Sequence, residues 1–351
     1  MSTTLQITPA FPPDISGVGD YAAVLSGKFR EAGEPMATLV ARPGTRDGPP
    51  TNDVTYLPQA EAETLAQAVD GYDGILLHFS GYGYAKRGLC RWLVDGLARW
   101  KAGGDGRRLV TMFHEVYATG PVWRSSFWTA GAQRRIARDL ARLSDAGFVS
   151  SQGGQDQLAR LAPELGVDLL PVFSNVGEPE TPRPLAERAG RAVVFGGRTW
   201  RRKVYEALGR AGTDLARALG NAGVTRIIDI GPEMEVLGDV AGCVVTPLGP
   251  RPAMEVSTAL GDARIGLIDY PGHVFTKSGI AAAYFAHRLP IVNTSPVGGF
   301  PPDLQEGRHF ASLERVANGG VEAQAIADTG HDWYRPHGVS ATVEKFRAGL
   351  E

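Results

Sequence analysis

The chain has 351 residues, 43% of them hydrophobic and 21% charged, with a net charge of −2 at neutral pH. That length admits two domains with cores of their own, and the near-zero charge gives no case for a nucleic-acid partner. Two distant cysteines, Cys90 and Cys243, without a C-x-x-C spacing argue against a disulfide scaffold or a zinc site, and no window approaches about 18 apolar residues, so no membrane span is expected.

In chain order, Leu5–Thr8, Met36–Ala41, Gly74–His78, Leu109–His114, Gly147–Ser150 and Leu169–Phe173 read as strands. Between them, Asp20–Ala32, Glu61–Ala68, Leu89–Lys101, Ala132–Leu143 and Gly154–Leu161 carry helical periodicity. Glu178–Arg191, rich in proline and charge, reads as a linker. The alternation then restarts, with strands at Ala192–Phe195, Arg226–Ile230, Val244–Thr246, Ile265–Ile268 and Ile291–Val292, and helices at Tyr205–Leu219, Ala253–Leu260 and Ile280–Phe285. A last helix is expected over Val339–Leu350. Strand–helix alternation predicts parallel sheets covered on both faces, hence an α/β fold of two Rossmann-like doubly wound domains. The expected division is 1–178, 179–332, and a closing segment 333–351. In such folds ligands sit beyond the C-terminal ends of the strands, so the cleft between the domains is the expected site.

Several strand-end groups could carry chemistry there. Gly17-Val18-Gly19 precedes a helix and lets backbone approach a ligand, and Gly17–Ala22 fits a G-x-G-x-x-G/A string. Pro9–Ser16 separates it from its strand, so a turn that merely redirects the chain is as simple a reading. In VVFGGRTWRRKVYEAL, Gly197 makes a turn after a strand, Arg198 can hold phosphate oxygens in pairs, and Lys203, expected to begin a helix, adds a compact charge. Thr276, Lys277, Ser278 and Gly279 open an Ala-rich helix whose N-terminus suits an anion. A solvated basic turn is the alternative for Arg198 and Lys203, since Arg201 and Arg202 stand beside them. His114 closes an apolar strand and His78 closes the preceding one; each can contact a sugar hydroxyl or simply be a satisfied structural residue.

Phe79, Tyr82, Tyr84, Trp92, Trp100, Trp123, Phe127 and Trp128 crowd one region, and twelve basic residues against four acidic ones lie between Lys86 and Arg142. Such a stretch can meet an anionic acceptor or a lipid surface, or be a solvated helix over an aromatic core. There is no Asp-x-Asp pair, H-E-x-x-H, G-x-S-x-G or Walker A lysine, so metal-bridged diphosphate chemistry, zinc hydrolysis and the serine-hydrolase elbow lose support. No metal and no cofactor are expected. The start, MSTTLQITPAF, lacks a basic region followed by an apolar run, and a cytoplasmic location is expected, with peripheral contact at the inner membrane face through residues 79–142.

The ordered set resembles a glycosyltransferase of the GT-B fold, and most of all glycosyltransferase family 4. Gly17-Val18-Gly19-Asp20-Tyr21 resembles the family's N-terminal glycine loop, Phe113-His114-Glu115 its strand-end histidine, Gly197-Arg198 through Lys203 its phosphate grip, and Ala283–Val292 its helix-to-strand ending. Pro171–Val176 stands where many members have an Asn-Gly pair. Val204 replaces the usual glycine after the lysine, and the E-x7-E motif falls on Phe275 and Ala283, neither acidic.

The resemblance implies transfer of a sugar from a nucleotide diphosphate donor, a UDP-sugar before a GDP-sugar, to an acceptor hydroxyl, with retention and without metal, in glycan or glycolipid biosynthesis. It places His114, Arg198 and Lys203 in catalysis. It places Gly17, Gly19, Gly197, Arg198, Lys203, Thr276, Lys277, Ser278 and Gly279 around the donor. A carbohydrate or lipid-linked acceptor would meet Asp20, His78, Tyr82 and Tyr84. It also implies that the last helix crosses back to the N-terminal domain. The alternatives are an NAD(P)-dependent oxidoreductase using Gly17–Ala22, a non-catalytic nucleotide-sugar-binding relative, and a sugar-nucleotide epimerase.

Overall fold

The computed structural model describes residues 4–14, 16–42, 53–119, 125–234, 238–319 and 322–351. The chain forms two compact units, one of residues 1–171 and 339–351, the other of residues 172–338.

The first unit runs β1 (Thr4–Thr8), α1 (Gly17–Glu31), β2 (Ala37–Val40), β3 (Val54–Tyr56), α2 (Ala62–Val69), β4 (Gly74–Phe79), α3 (Gly81–Tyr84), α4 (Arg91–Ala102), β5 (Arg108–Phe113), α5 (Ser125–Leu143), β6 (Ala146–Val149), α6 (Gln152–Leu161) and β7 (Val167–Leu169). Its seven strands are all parallel, in the order β3-β2-β1-β4-β5-β6-β7. The central strands are sealed on both faces, which is why β4 reads as the nearly unbroken apolar run GILLHF and buries every residue. Strand order reverses between β1 and β4, and the segments leaving these strands begin α1 and lead towards α3.

The second unit contains β8 (Arg191–Phe195), α7 (Arg198–Arg210), α8 (Gly212–Asn221), β9 (Arg226–Ile230), β10 (Val244–Gly249), α9 (Ala253–Asp262), β11 (Ile265–Ile268), α10 (Gly279–Ala286), β12 (Ile291–Asn293), β13 (Ala311–Ser312), α11 (Leu313–Ala317) and α12 (Ala323–Tyr334). These strands too are parallel, in the order β10-β9-β8-β11-β12-β13, with the reversal between β8 and β11. Helix α10 is apolar all round and buries Ala281 through Ala286, as an Ala-rich helix inside a core must. The closing α13 (Val339–Leu350) belongs to the first unit, where Phe346 meets Phe148 edge-on at 5.1 Å and Arg347 pairs with Glu34 at 2.8 Å.

Three sequence expectations change. Glu178–Arg191 is not a free linker. Residues Leu185–Glu187 form a 3-10 turn, and the buried Arg188 guanidinium donates to the carbonyls of Arg183, Ala263 and His287, which fastens the segment to the second unit. The helix expected over Tyr205–Leu219 is two helices, α7 and α8, divided at Gly212, whose φ of +65° is left-handed. The strand expected over Leu169–Phe173 ends at Leu169.

Candidate functional site

In the second unit the site begins at the turn between β8 and α7. Gly196 has φ +124°, and a Cβ there would lie 2.3 Å from Ile280 Cδ1, so the turn packs directly against the start of α10. Gly197 is the N-cap of α7, with nothing within 4 Å of an added Cβ and no side chain capping the helix. The first N–H groups of α7 therefore have no side-chain cap to accept from them, beside a positive dipole end.

Four cations follow, and the fold separates them into two classes. Arg201 is almost fully buried, held by the Asp229 carboxylate and the Pro232 carbonyl. Arg202 pairs with Glu206 one turn on, at 3.7 Å. Arg198 and Lys203 pair with no acid among the described residues. Lys203 does not begin the helix: α7 starts at Arg198, and Lys203 is its sixth residue. Helical side chains lean towards the N-terminus, so Lys203 reaches back over Trp200, its Nζ 4.3 Å from the indole centroid.

The second cationic turn lies at the start of α10. A 3-10 turn over Gly272–Lys277 leads to Ser278, the N-cap, whose Oγ accepts from Ala281 N at 3.1 Å. Thr276 is buried and its carbonyl accepts from Val172 N. The Ser278 side chain is thus committed to the helix cap, and Thr276 is 4% exposed. What the turn presents is Lys277, partly exposed and without an acidic partner among the described residues, and Gly279, which faces Asn175 at 3.4 Å from an ideal Cβ.

Tyr270 joins the two turns. Its ring lies 4.7 Å from that of Trp200, and its hydroxyl hydrogen-bonds Ser278; burial pushes that phenol up to about 12. Asn293 clamps the Tyr270 backbone at both N–H and C=O, which fixes the loop leaving β11.

The two positions where motif acids would fall are core positions. Phe275 packs against Phe300 and Phe310, each at 5.2 Å, and Ala283 is fully buried with its carbonyl accepting from His287 Nδ1. An ionised carboxylate at either would be desolvated without a partner.

In the first unit, Ser16 caps α1 by accepting from Gly19 N. Gly17 is exposed with open space about it, as a ligand-facing backbone requires. Gly19 has a structural cause: an added Cβ would lie 2.9 Å from the Ala10 carbonyl oxygen. The loop of residues 9–16 between β1 and α1 also departs from the tight turn of a dinucleotide fingerprint. Asp20 is half-buried, and burial raises its pKa.

His114, 8% exposed, meets Tyr21 edge-on at 4.9 Å. His78 is completely buried, and so cannot touch an acceptor. Tyr84 is likewise core, its hydroxyl donating to the carbonyls of His78 and Ile7. Of the expected acceptor residues Tyr82 is open, 44% exposed, with its hydroxyl accepting from Gln133.

The basic excess of residues 86–142 is cancelled in part by acids from outside that stretch, while Asp139 within it is shared. Arg99 pairs with Glu63, Lys101 with Asp145, Arg107 with Asp70 and Arg142 with Glu164, while Arg91 and Arg138 share Asp139. Phe79, Tyr84 and Trp100 are core, and Trp128 stands out at 77% exposure. Trp123, Arg124 and the Phe127 side chain lie outside the described residues. Among the described residues no helix is long and apolar enough to cross a membrane, and no three metal-ligating side chains gather.

No family model matches the chain, and no curated protein matches it. Solved structures do. An α-glucosyltransferase in complex with UDP aligns over 99% of both chains at 10% identity and a TM-score of 0.61. A glycosyltransferase from Rickettsia africae aligns over 100% of this chain and 99% of its own, at 11% identity and 0.58. WaaG, a glycosyltransferase involved in lipopolysaccharide biosynthesis, aligns over 99% of both at 12% identity and 0.55. The chain has the GT-B fold. At these identities the likeness is one of architecture. In this GT-B chain the phosphate-facing candidates are Gly197, Arg198, Lys203, Lys277 and Gly279, and the strand-end candidate of the first unit is His114. Sequence reading missed Trp200, Tyr270 and Asn175, which support those residues; an aromatic three positions before Lys203 was the available signal.

Proposed function

We propose that this chain transfers a sugar from a nucleotide diphosphate donor to an acceptor hydroxyl. One observation carries the reading. Arg198, Lys203 and Lys277 stand at two strand-to-helix turns of one sheet, tied together through Trp200 and Tyr270, with no acid among the described residues to neutralise them. Cations at two helix starts suit a leaving diphosphate, whose charge grows as the glycosidic bond breaks. The full-length GT-B likeness supports the class, and the UDP complex of a similar structure favours a UDP-sugar over a GDP-sugar.

In this mechanism Arg198 takes phosphate oxygens in pairs, while Lys203 and Lys277 supply point charges. These three cations give the charge compensation that a divalent ion gives elsewhere, so the reaction runs without metal and persists in EDTA. The sugar is transferred with retention, and His114 positions it. The acceptor is a carbohydrate or lipid-linked hydroxyl, with Tyr82 and Asp20 the candidates in the first unit. Titration calorimetry with UDP, GDP and NADP tests the reading: UDP binds and stabilises the fold by mass action, and NADP does not. Tight NADP binding without UDP binding would overturn it.

A further inference from the structure

The strand order of the second sheet reverses between β8 and β11, and the loops leaving two such strands border the crevice in which an open α/β sheet takes a ligand. Acids are nearly absent from them. The chain has no aspartate or glutamate from Ala192 to Tyr205, and none from Tyr270 to Pro302. Asp269, directly after β11, stands at the head of the second stretch. In the register that pairs Leu267 with Val194, Asp269 falls level with Gly196, in the turn that leads to Arg198.

The Asp269 carboxylate is held but not neutralised. Thr294, just past β12, donates its N–H to the Ile268 carbonyl at 2.7 Å and its hydroxyl to Asp269 Oδ2 at 2.8 Å. Asn293 grips the N–H and C=O of Tyr270, so the backbone is fixed on both sides of Asp269. The side chain is partly exposed, and no cation pairs with it among the described residues. Nor does it cap the 3-10 turn that follows, whose N-cap is Pro271. A carboxylate only accepts and has about four lone-pair sites, of which Thr294 uses one, on Oδ2.

A carboxylate at the edge of a phosphate site repels phosphate oxygens and attracts hydroxyls, from which it accepts charge-assisted hydrogen bonds. A nucleotide diphosphate sugar carries such hydroxyls on either side of its diphosphate. We infer that Asp269 accepts a hydrogen bond through Oδ1 from a hydroxyl of the donor, on the ribose or on the sugar to be transferred. Resting on the transferase reading, this supplies from β11 an acid that the motif positions Phe275 and Ala283 lack.

Titration calorimetry on the full chain with inorganic pyrophosphate, UDP and UDP-glucose tests it, in the wild type, Asp269→Ala and Asp269→Asn. Both variants should bind UDP-glucose about 10-fold or more weakly, the size of one lost hydrogen bond to a charged group. Both should bind pyrophosphate as tightly as the wild type or more so, because the repelling charge is gone. UDP weakened to the same extent places the contact on the ribose, and UDP unchanged places it on the transferred sugar. Where Asp269→Ala folds poorly, Asp269→Asn carries the test, since its Oδ1 can still accept from Thr294. A folded Asp269→Asn that binds UDP-glucose as the wild type does overturns the inference. So does a parallel loss of pyrophosphate binding, which would make Asp269 a support for the cationic turns. In both cases the transferase reading stands; a wild type that binds neither UDP nor UDP-glucose overturns that reading and this inference with it.

Discussion

The indole of Trp200 and the phenol ring of Tyr270 pack with centroids 4.7 Å apart and planes at 58°. The same indole carries the Lys203 ammonium, and the same phenol hydrogen-bonds the N-cap Ser278. Two turns about 70 residues apart in sequence are thereby held as one structure, and the cation on each has no acidic partner among the described residues.

Lys203→Ala and Lys277→Ala should each lower kcat/KM by about 10-fold or more, a loss of ~1.4 kcal/mol or greater in transition-state stabilisation. Trp200→Leu removes the ring on which Lys203 rests. Combined with Lys203→Ala it should cost less than the sum of the two single changes, because neighbours sharing one contact do not act independently. Initial-rate kinetics on the four proteins measure this, and strict additivity would show that Trp200 does not position the lysine.

Arg198 and Arg201, three residues apart, should fail in opposite ways. Arg201→Met leaves Asp229 buried without its guanidinium and should destabilise the second unit by about 3–5 kcal/mol. Arg198→Met alters an exposed side chain with no ion pair among the described residues and should change stability by less than about 0.5 kcal/mol while weakening UDP binding. Urea denaturation and calorimetry separate the two; a stability loss in Arg198→Met would show that it is structural.

His287 makes the second unit acid-sensitive. Burial, despite the bond from Nδ1–H to the Ala283 carbonyl, lowers its pKa from 6.5 to about 4, and Arg188 and His331 act in the same direction as burial. Between these values the unfolded chain holds a proton that the folded chain does not. The contribution is therefore whole above about pH 6.5 and is lost as the pH falls towards 4, roughly 3 kcal/mol in all. His287→Asn keeps a donor for Ala283 and has nothing to titrate. Its melting temperature should vary less between pH 4.5 and 7 than that of the wild type, whatever its absolute value, and equal slopes would exclude His287 as the cause.

Restoring an acid at the first motif position should do harm. Phe275→Glu removes a ring from a cluster with Phe285, Phe300 and Phe310 and buries a carboxylate in its place, a loss of about 3–5 kcal/mol or more. Thermal unfolding with activity measured alongside checks this. A stable variant with higher turnover would show that Phe275 stands over the donor after all.

The second unit's site was legible where it depended on local chemistry. Thr276–Gly279 read as a helix start after a strand, and the structure has a helix there, whereas the helix expected to begin at Lys203 begins at Arg198. It was illegible where partners come from afar. Nothing in RTWRRK distinguishes Arg201, which Asp229 claims from 28 residues away, from Arg198, which no acid among the described residues claims. The same holds for the basic stretch of residues 86–142, which is cancelled partly by Glu63, Asp70, Asp145 and Glu164 from outside it. His78 looked like its neighbour His114 because both end apolar strands; only β1, bringing Gln6 alongside, shows that one is interior and the other borders the surface.

By itself the sequence determined two α/β units, because apolar runs of strand length alternating with amphipathic helices can bury their faces only as covered parallel sheets. Tertiary structure alone decided which cations are spent and which remain, which histidine can meet a ligand, and that Phe275 and Ala283 belong to the core. Those are questions of what lies beside a side chain in space, and the neighbours that answer them are brought there by strand order rather than by sequence distance.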